Sequence, residues 1–179
     1  MNFVTSRASA VEKLNKFTEE NLFEYAKLRN FGMTIGIRDT RKINAQYNMT
    51  SEDVHGQAKF DDSVGIFPEF IDGYGTLVLP TTGRYYQIPY RTLLPKKVKN
   101  LIAAGRITGG DKTSHASTRN MMCCTVTGQA AGVAAALSSS LNKNLDEVPL
   151  VELKKSLKNQ AWTSKCPLLC SPGYPKTPK

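Results

Sequence analysis

Residues 101–137 read LIAAGRITGGDKTSHASTRNMMCCTVTGQAAGVAAAL, and this stretch decides the fold class. An apolar run at residues 100–104 predicts a short buried strand, and a glycine-bearing basic loop follows it. A small-residue helix is then predicted from residue 118 to about residue 141, with Ser117 as its cap. In an open α/β sheet, a strand's carboxyl end and the next helix's amino terminus face one crevice. The helix dipole and backbone N–H groups there predict an anion or cofactor site.

Basic residues concentrate around this predicted site. The formal net charge of +9 permits nucleic acid, an anionic membrane or a phosphorylated ligand as a partner. Between residues 84 and 119, eight lysines and arginines stand against one acid, Asp111. No nucleic-acid-binding motif accompanies this charge, so we expect no specific nucleic acid partner. A basic nucleic-acid binder stays open as an alternative that rests on charge and scattered tyrosines.

Length and composition predict one domain or a large piece of one. The chain has 179 residues, of which 40% are hydrophobic. Its four cysteines contain no metal-type pair, which argues against a disulfide framework or metal site. The apolar run at residues 130–137 is far shorter than the ~20 residues that span a bilayer. We therefore expect no membrane span and a cytoplasmic location, with a mitochondrial address left open.

The rest of the chain predicts a mixture of helices and strands. Residues 11–28 have the spacing of two amphipathic helices, and residues 33–47 alternate strictly, as in a long strand. Thr50 and Asp53 have the spacing of a capping box that opens a brief helix. Residues 60–95 favour short strands or loops, and residues 148–162 a smaller helix. Within residues 60–95, three tyrosines are candidates for ligand contact: Tyr85, Tyr86 and Tyr90.

Three motifs occur in a fixed order along the chain. They are IGIRDTRKI at residues 35–43, QIPYRTLLPKKVKNLIAAGR at residues 87–106 and SHASTRNMMCCTVTGQAAGVAAAL at residues 114–137. Together they resemble the carboxy-terminal part of the FAD-dependent oxidoreductase family related to the heterodisulfide reductase flavoprotein subunit. The resemblance implies an α/β fold of mixed α+β content, the carboxy-terminal part of a glutathione-reductase-like FAD-binding fold.

The expected organisation of the chain follows from its composition together with the resemblance. Residues 1–163 would form a single integrated piece, and residues 164–179 a mobile tail rich in proline and lysine. Within the piece, residues 30–98 correspond to strands and loops of a substrate domain. Residues 99–141 correspond to the strand, loop and helix that complete the flavin side of the FAD site.

The resemblance assigns site residues to the turn and the helix. Ala104, Gly105 and Arg106 match the family's turn, and Ser117, Arg119, Gln129, Ala130 and Gly132 match its helix motif. Glycine at positions 105 and 109 would let the backbone approach the cofactor closely. The implied cofactor-binding residues are Ala104, Gly105, Arg106, Gly109, Ser117, Thr118 and Arg119. The candidates for a catalytic role are His115 and Arg119.

The charged site residues each have a plainer alternative. Arg106 and Arg119 are either flavin or phosphate contacts or solvated charges at a loop and a helix end. His115 precedes the predicted helix, where it would hydrogen-bond a ligand, relay a proton or stabilise the loop.

Two further groups of residues are open to a structural or a functional role. Asp39 is expected to pair with Arg41, whereas a substrate anion is the alternative partner of Arg38 and Arg41. Adjacent Cys123 and Cys124 on a small-residue helix are expected to pack rather than to perform redox chemistry.

Two departures from the family pattern limit the expected activity. No three glycines show the GxGxxG spacing that would receive the FAD pyrophosphate. Met122, Cys123 and Cys124 also replace a Pro-Thr-Cys-like sequence, and no ligands for the iron–sulfur cluster of some relatives can be assembled. We therefore expect an incomplete FAD site, a small-molecule redox substrate, and a partner chain or amino-terminal half that supplies the rest. The alternative is a non-catalytic remnant that acts as an interaction module.

Overall fold

The computed structural model describes residues 33–160 apart from residues 35, 40, 74, 75, 81 and 82. The chain divides into two compact units, Met1–Arg38 and Asp39–Lys179, and the description below concerns the second. The helices predicted at residues 11–28 and the tail at residues 164–179, with Cys166 and Cys170, lie outside the described residues. The single integrated piece over residues 1–163 stays a prediction.

Two antiparallel strand pairs provide the β structure. Strand β1 (Ser63–Pro68) pairs with β4 (Tyr85–Pro89), and β2 (Ile71–Gly73) pairs with β3 (Thr76–Val78). The first pair lies in the core, where the Phe67 and Tyr86 rings meet edge to face at 6.1 Å. The short strands predicted within residues 60–95 are therefore confirmed.

Four helices and three 3₁₀ turns complete the described unit. The helices are α1 (Ser51–His55), α2 (Lys112–Thr118), α3 (Met121–Leu141) and α4 (Leu150–Asn159), and the 3₁₀ turns are Tyr90–Thr92, Gly105–Ile107 and Leu145–Glu147. The predicted capping box opens α1, since Thr50 and Asp53 each accept the other's backbone N–H. Helix α3 packs on β1, on α4 and on the turn Gly105–Ile107. The expected mixture of helix and strand is confirmed.

The long strand predicted at residues 33–47 is wrong for the part of that segment that is described. Its backbone bonds to several different loops: Ile43 N–H donates to the Ile107 carbonyl, and Gln46 N–H to that of Leu94. The only ladder contact there is an isolated bridge from Ala45 to Pro95. The strand predicted at residues 100–104 is absent as well. A strand needs one continuous neighbour, and alternating polarity cannot supply it.

The helix predicted over residues 118–141 forms as α3, which begins at Met121, three residues later than expected. A separate helix, α2, precedes it and was not predicted; Asp111 caps α2 by accepting Ser114 N–H at 2.7 Å. The Asn120 amide then donates to the carbonyls of Ala116 and Ser117 and closes α2. Ser117 is therefore an interior residue of α2 rather than a cap. His115 likewise lies in a helix and not in a loop.

Helix α3 is longer than the apolar run that the sequence shows. It has 21 residues, and of the described helices it alone is long and apolar enough to cross a membrane. Core helices of soluble proteins share these properties, so length and composition do not distinguish a membrane-spanning helix from a core helix.

Candidate functional site

The 3₁₀ turn Gly105–Ile107 is fixed against the first turns of α3. Gly105 has φ +73°, a conformation that favours glycine, and its N–H donates to the Thr127 hydroxyl at 2.9 Å. A side chain at Gly105 would point toward Cys124, whose Sγ lies 3.8 Å from the Cβ position. Ala104 precedes the turn in an extended conformation, and Arg106 is exposed. The turn and the start of α3 are thus one preformed unit.

The amino terminus of α3 has no side-chain cap. Asn120 stands at the cap position, but its amide is directed back to α2. Met121 and Met122 follow it and are 87% and 74% exposed. The positive end of the α3 dipole therefore lies beside the turn Gly105–Ile107, in a setting that favours a polar or anionic group.

The predicted residues of α2 are buried. His115, Ser117 and Thr118 have between 0% and 5% of their surface exposed. The Ser117 and Tyr86 hydroxyls are hydrogen-bonded at 2.8 Å, and burial raises the pKa of Tyr86 well above its usual value. The cofactor contacts expected of Ser117 and Thr118 stay predictions.

Asp39 contacts His115 rather than the expected Arg41. Its Oδ1 lies 3.6 Å from His115 Nε2 and 3.6 Å from Lys42 Nζ. Arg41 is exposed, and the ion pairs described for Asp39 do not include it, so the predicted Asp39–Arg41 pair is wrong. The prediction placed Asp39 and Arg41 on the same face of a strand. Because this segment does not form a strand, the alternation of its residues does not determine which side chains meet.

Arg119 is held against β2. One of its terminal nitrogens donates to the Asp72 carbonyl at 2.6 Å. A Cβ on Gly73 would lie 2.7 Å from the same nitrogen, so glycine leaves the space that the guanidinium occupies. Whatever ligand Arg119 contacts, its position is set by the protein itself.

Gly109 packs against its own chain. A Cβ there would overlap the side chains of Ala45 and Asn48. Its N–H donates to the Thr92 carbonyl, and its own carbonyl accepts Met49 N–H. Internal packing alone therefore requires glycine here, and close approach to a cofactor stays a prediction.

The two adjacent cysteines are held as thiols. Cys123 is fully buried, and burial raises the pKa of its thiol. Burial also raises the pKa of Cys124, although the nearby Arg106 opposes that shift. Since the thiolate is the nucleophilic form, the structure favours the packing role for both residues.

A buried carboxylate that the sequence did not reveal joins three segments. Glu69 accepts hydrogen bonds from Arg84 Nε and from His55 Nδ1, the latter at 2.9 Å. Burial alone would raise the pKa of Glu69, but the bonds from Arg84 and His55 outweigh it and lower the pKa below its usual value. No local pattern links residues so far apart in the chain.

A second unforeseen group ties β1 to the turn Tyr90–Thr92. Asp62 accepts from Arg91 through its Nε at 2.9 Å, its terminal nitrogen at 3.2 Å and its backbone N–H at 3.1 Å. The Arg91 guanidinium also lies 5.4 Å from the centre of the Tyr47 ring. Arg91 belongs to the QIPYRTLLP part of the second motif, and only its basic character was visible in the sequence.

One face of α3 is open within the part of the chain that the structure describes. Cβ atoms built on Gly128 and Gly132 would meet no atom within 4 Å. These two glycines are four residues apart and therefore share a helix face. Such a face permits close approach of another element.

Comparison with known proteins identifies the family. A sequence profile described as FAD dependent oxidoreductase matches residues 4–157. The chain belongs to the FAD-dependent oxidoreductase family. The match includes the turn Gly105–Ile107, α2 and α3, and FAD is the cofactor that this membership implies. No curated protein and no solved structure is significantly similar to the chain.

Proposed function

We propose that this chain supplies the flavin side of the FAD site in an oxidoreductase related to the heterodisulfide reductase flavoprotein subunit. One observation carries the proposal: the turn Gly105–Ile107 is hydrogen-bonded to Thr127 in the second turn of α3, a helix whose amino terminus has no side-chain cap. A positive-φ glycine beside a helix amino terminus fits the polar edge of a flavin. The fold would then be the carboxy-terminal part of a glutathione-reductase-like fold.

The chain's own residues would bind and orient the cofactor. When bound, FAD supplies hydride or electron transfer, which is the chemistry of the cofactor itself. The N–H groups at the start of α3 and the Arg106 guanidinium would stabilise negative charge on the flavin. A helix terminus contributes about 0.3–1 kcal/mol when exposed and up to ~2 kcal/mol when partly buried. This magnitude adjusts a redox potential and does not by itself create catalysis.

The proposed roles of His115 and Arg119 follow from where each is held. Arg119 is fixed by Asp72 at the end of α2, so we propose it as the residue that contacts the flavin or a substrate anion. His115 has no exposed surface and faces Asp39, which supports the plainer of its expected roles. We propose that it positions α2 and that it does not exchange protons with substrate.

The second half of the site would come from a segment or chain that carries GxGxxG. No three glycines of this chain have such spacing, and the open face at Gly128 and Gly132 offers that half a place to pack. We further propose a small-molecule redox substrate, no membrane span and a cytoplasmic location. Within the described residues, no three His, Cys, Asp or Glu side chains are placed to hold a metal.

FAD titration tests the proposal. The chain is titrated with FAD by flavin fluorescence, alone and with a candidate amino-terminal half that contains GxGxxG. We expect weak or no binding by the lone chain and stoichiometric binding by the pair. Gly105→Val should abolish flavin retention because valine strongly disfavours a positive φ, whereas Glu152→Ala at an exposed position of α4 should not. Tight binding by the lone chain would contradict the proposal.

The open α3 face also supports the non-catalytic alternative. A remnant that serves as an interaction module would keep this face for a partner and would bind no flavin. It therefore predicts a complex that forms through α3 and remains colourless when FAD is added. A yellow complex with the flavin in a 1:1 ratio excludes it.

A further inference from the structure

A preformed loop stands beside the turn Leu145–Glu147. Its first residues are held by backbone bonds, with Gln46 N–H donating to the Leu94 carbonyl at 2.8 Å and Lys96 N–H to that of Asn44 at 2.9 Å. Beyond its end, Ala103 N–H donates to the Leu93 carbonyl at 2.8 Å. Because both ends are anchored, residues 94–101 lose little conformational entropy when they bind a partner.

The loop borders a small cleft with both polar and apolar side chains in its lining, which we name the lysine cleft. It has a volume of about 120 Å³ and is lined by Gln46, residues 94–101, Leu145 and Asp146. Leu94 and Leu145 are buried, whereas Val98 and Leu101 are 54% and 47% exposed. Benzene fits a cavity of ~150 Å³, so this cleft has the scale of a single aliphatic or small aromatic group.

Positive charge surrounds the lysine cleft. Lys96, Lys97 and Lys99 all lie in the loop and are exposed, and Asp146 is the only carboxylate in the lining. Exposed apolar residues rimmed by charges are typical of surfaces that bind other proteins. The charge complements an acidic partner. The exposed parts of Val98 and Leu101 offer an apolar contact beside the lysines, which charge alone does not provide.

We propose that the lysine cleft binds an acidic segment of a protein partner, with one apolar side chain in the cleft and flanking carboxylates on the lysines. A concave site of this size takes a projecting side chain, which a lipid bilayer or a nucleic acid duplex does not present. The site goes beyond the FAD function and does not depend on it.

Peptide binding tests this proposal. The full chain is titrated by fluorescence anisotropy with a labelled peptide of repeated Glu-Glu-Leu, and with a Glu-Glu-Ser peptide of equal length and charge. We expect the leucine peptide to bind at least about tenfold more tightly. The variant K96E/K97E/K99E should weaken its binding at least about tenfold. The control K59E/K143E/K158E, with the same change in charge, should change it less than about twofold.

Other outcomes would overturn the proposal. Equal affinity for the two peptides would show that the cleft acts only as a nonspecific basic patch. Vesicles containing phosphatidylserine and a random DNA duplex are tested in parallel. If the first variant abolishes binding to either of them but leaves the leucine peptide unaffected, the loop serves a membrane or a nucleic acid instead. Leu101→Asn removes an apolar side chain from the rim of the cleft without changing its charge, and it should weaken the binding of the leucine peptide but not that of the serine peptide. This variant tests the proposal even if the charge variant does not fold.

Discussion

Single residues of this chain join segments that are distant in the sequence. Glu69 connects His55 at the end of α1 with Arg84, and Asp62 connects the start of β1 with Arg91. Gly109 lets two loops cross at close range. At this scale the described unit depends on a few buried polar groups and glycines, because its strands are short.

Glu69→Gln should destabilise the protein and flatten its response to acid. Because folding lowers the pKa of Glu69, its ionised carboxylate stabilises the folded protein at pH values above 4.5, the usual pKa of this group. That stabilisation is lost as the pH falls through the lower pKa of the folded state. Loss of charge-assisted bonds at a buried carboxylate costs about 1–3 kcal/mol. Urea unfolding at about pH 7 and about pH 4 measures the difference. The exposed Glu152→Gln is the control, and an equal loss of stability at both pH values would contradict the prediction.

Gly109→Ala should destabilise the unit, whereas Gly128→Ala should stabilise it. The first substitution forces a methyl group against Ala45 and Asn48, which costs about 1–3 kcal/mol. The second replaces an exposed helical glycine that has open space around it, a gain of up to about 1 kcal/mol. Thermal unfolding of the two variants beside the parent compares them directly. If the unfolding temperature changes in the same direction in both variants, the packing assigned to Gly109 is refuted.

At the scale of elements, α3 is the part of the unit with two different faces. One face carries Cys123, Ala130 and Ala134 into the core. The other presents Gly128 and Gly132 to open space within the described structure. Its first two turns contact the turn Gly105–Ile107 through Cys124 and Thr127, so this one helix contributes both to folding and to the proposed flavin site.

Gly132→Leu should separate these two contributions. A leucine on the open face leaves the core contacts intact and improves helix propensity, so the lone chain should be at least as stable as the parent. The same leucine blocks close approach, and binding to the GxGxxG half should weaken about tenfold or more. Calorimetric titration measures the association. Unchanged affinity would show that the amino-terminal half packs elsewhere.

At the scale of the whole molecule, the described unit lacks a large sheet. Its strands form two separate two-stranded pairs, and α3 is only partly covered. Isolated pairs of this kind are marginal and need packing against other elements. The hydrophobic core of Val54, Val64, Tyr86, Ile88 and their neighbours therefore holds the two pairs together within the described residues.

The lone chain should therefore unfold with a broad transition, and the complex with a sharp one. Binding of the missing half adds buried surface and couples the unfolding of the parts. Differential scanning calorimetry of both samples provides the comparison, with FAD present and absent. A sharp, cooperative transition of the lone chain without flavin would instead favour the interaction-module alternative.

Local signals in the sequence predicted local structure correctly. The capping box at Thr50 and Asp53, the short strands and the helix α4 each depend on neighbours within a few residues. The long strand at residues 33–47 was mispredicted because alternation does not specify a pairing partner. The break before α3 was missed because the Asn120 amide bonds backward, although Asn120 stands where a cap is expected.

The sequence by itself determined the family, the mixed α/β class and the order of turn and helix in the candidate site. Only the tertiary structure decided that His115 faces Asp39, that Arg119 is fixed by Asp72 and that Glu69 joins Arg84 to His55. Motifs, periodicities and caps are encoded by residues close together in the chain. The partner of a buried charge is chosen by the packing of distant segments, which no local pattern records.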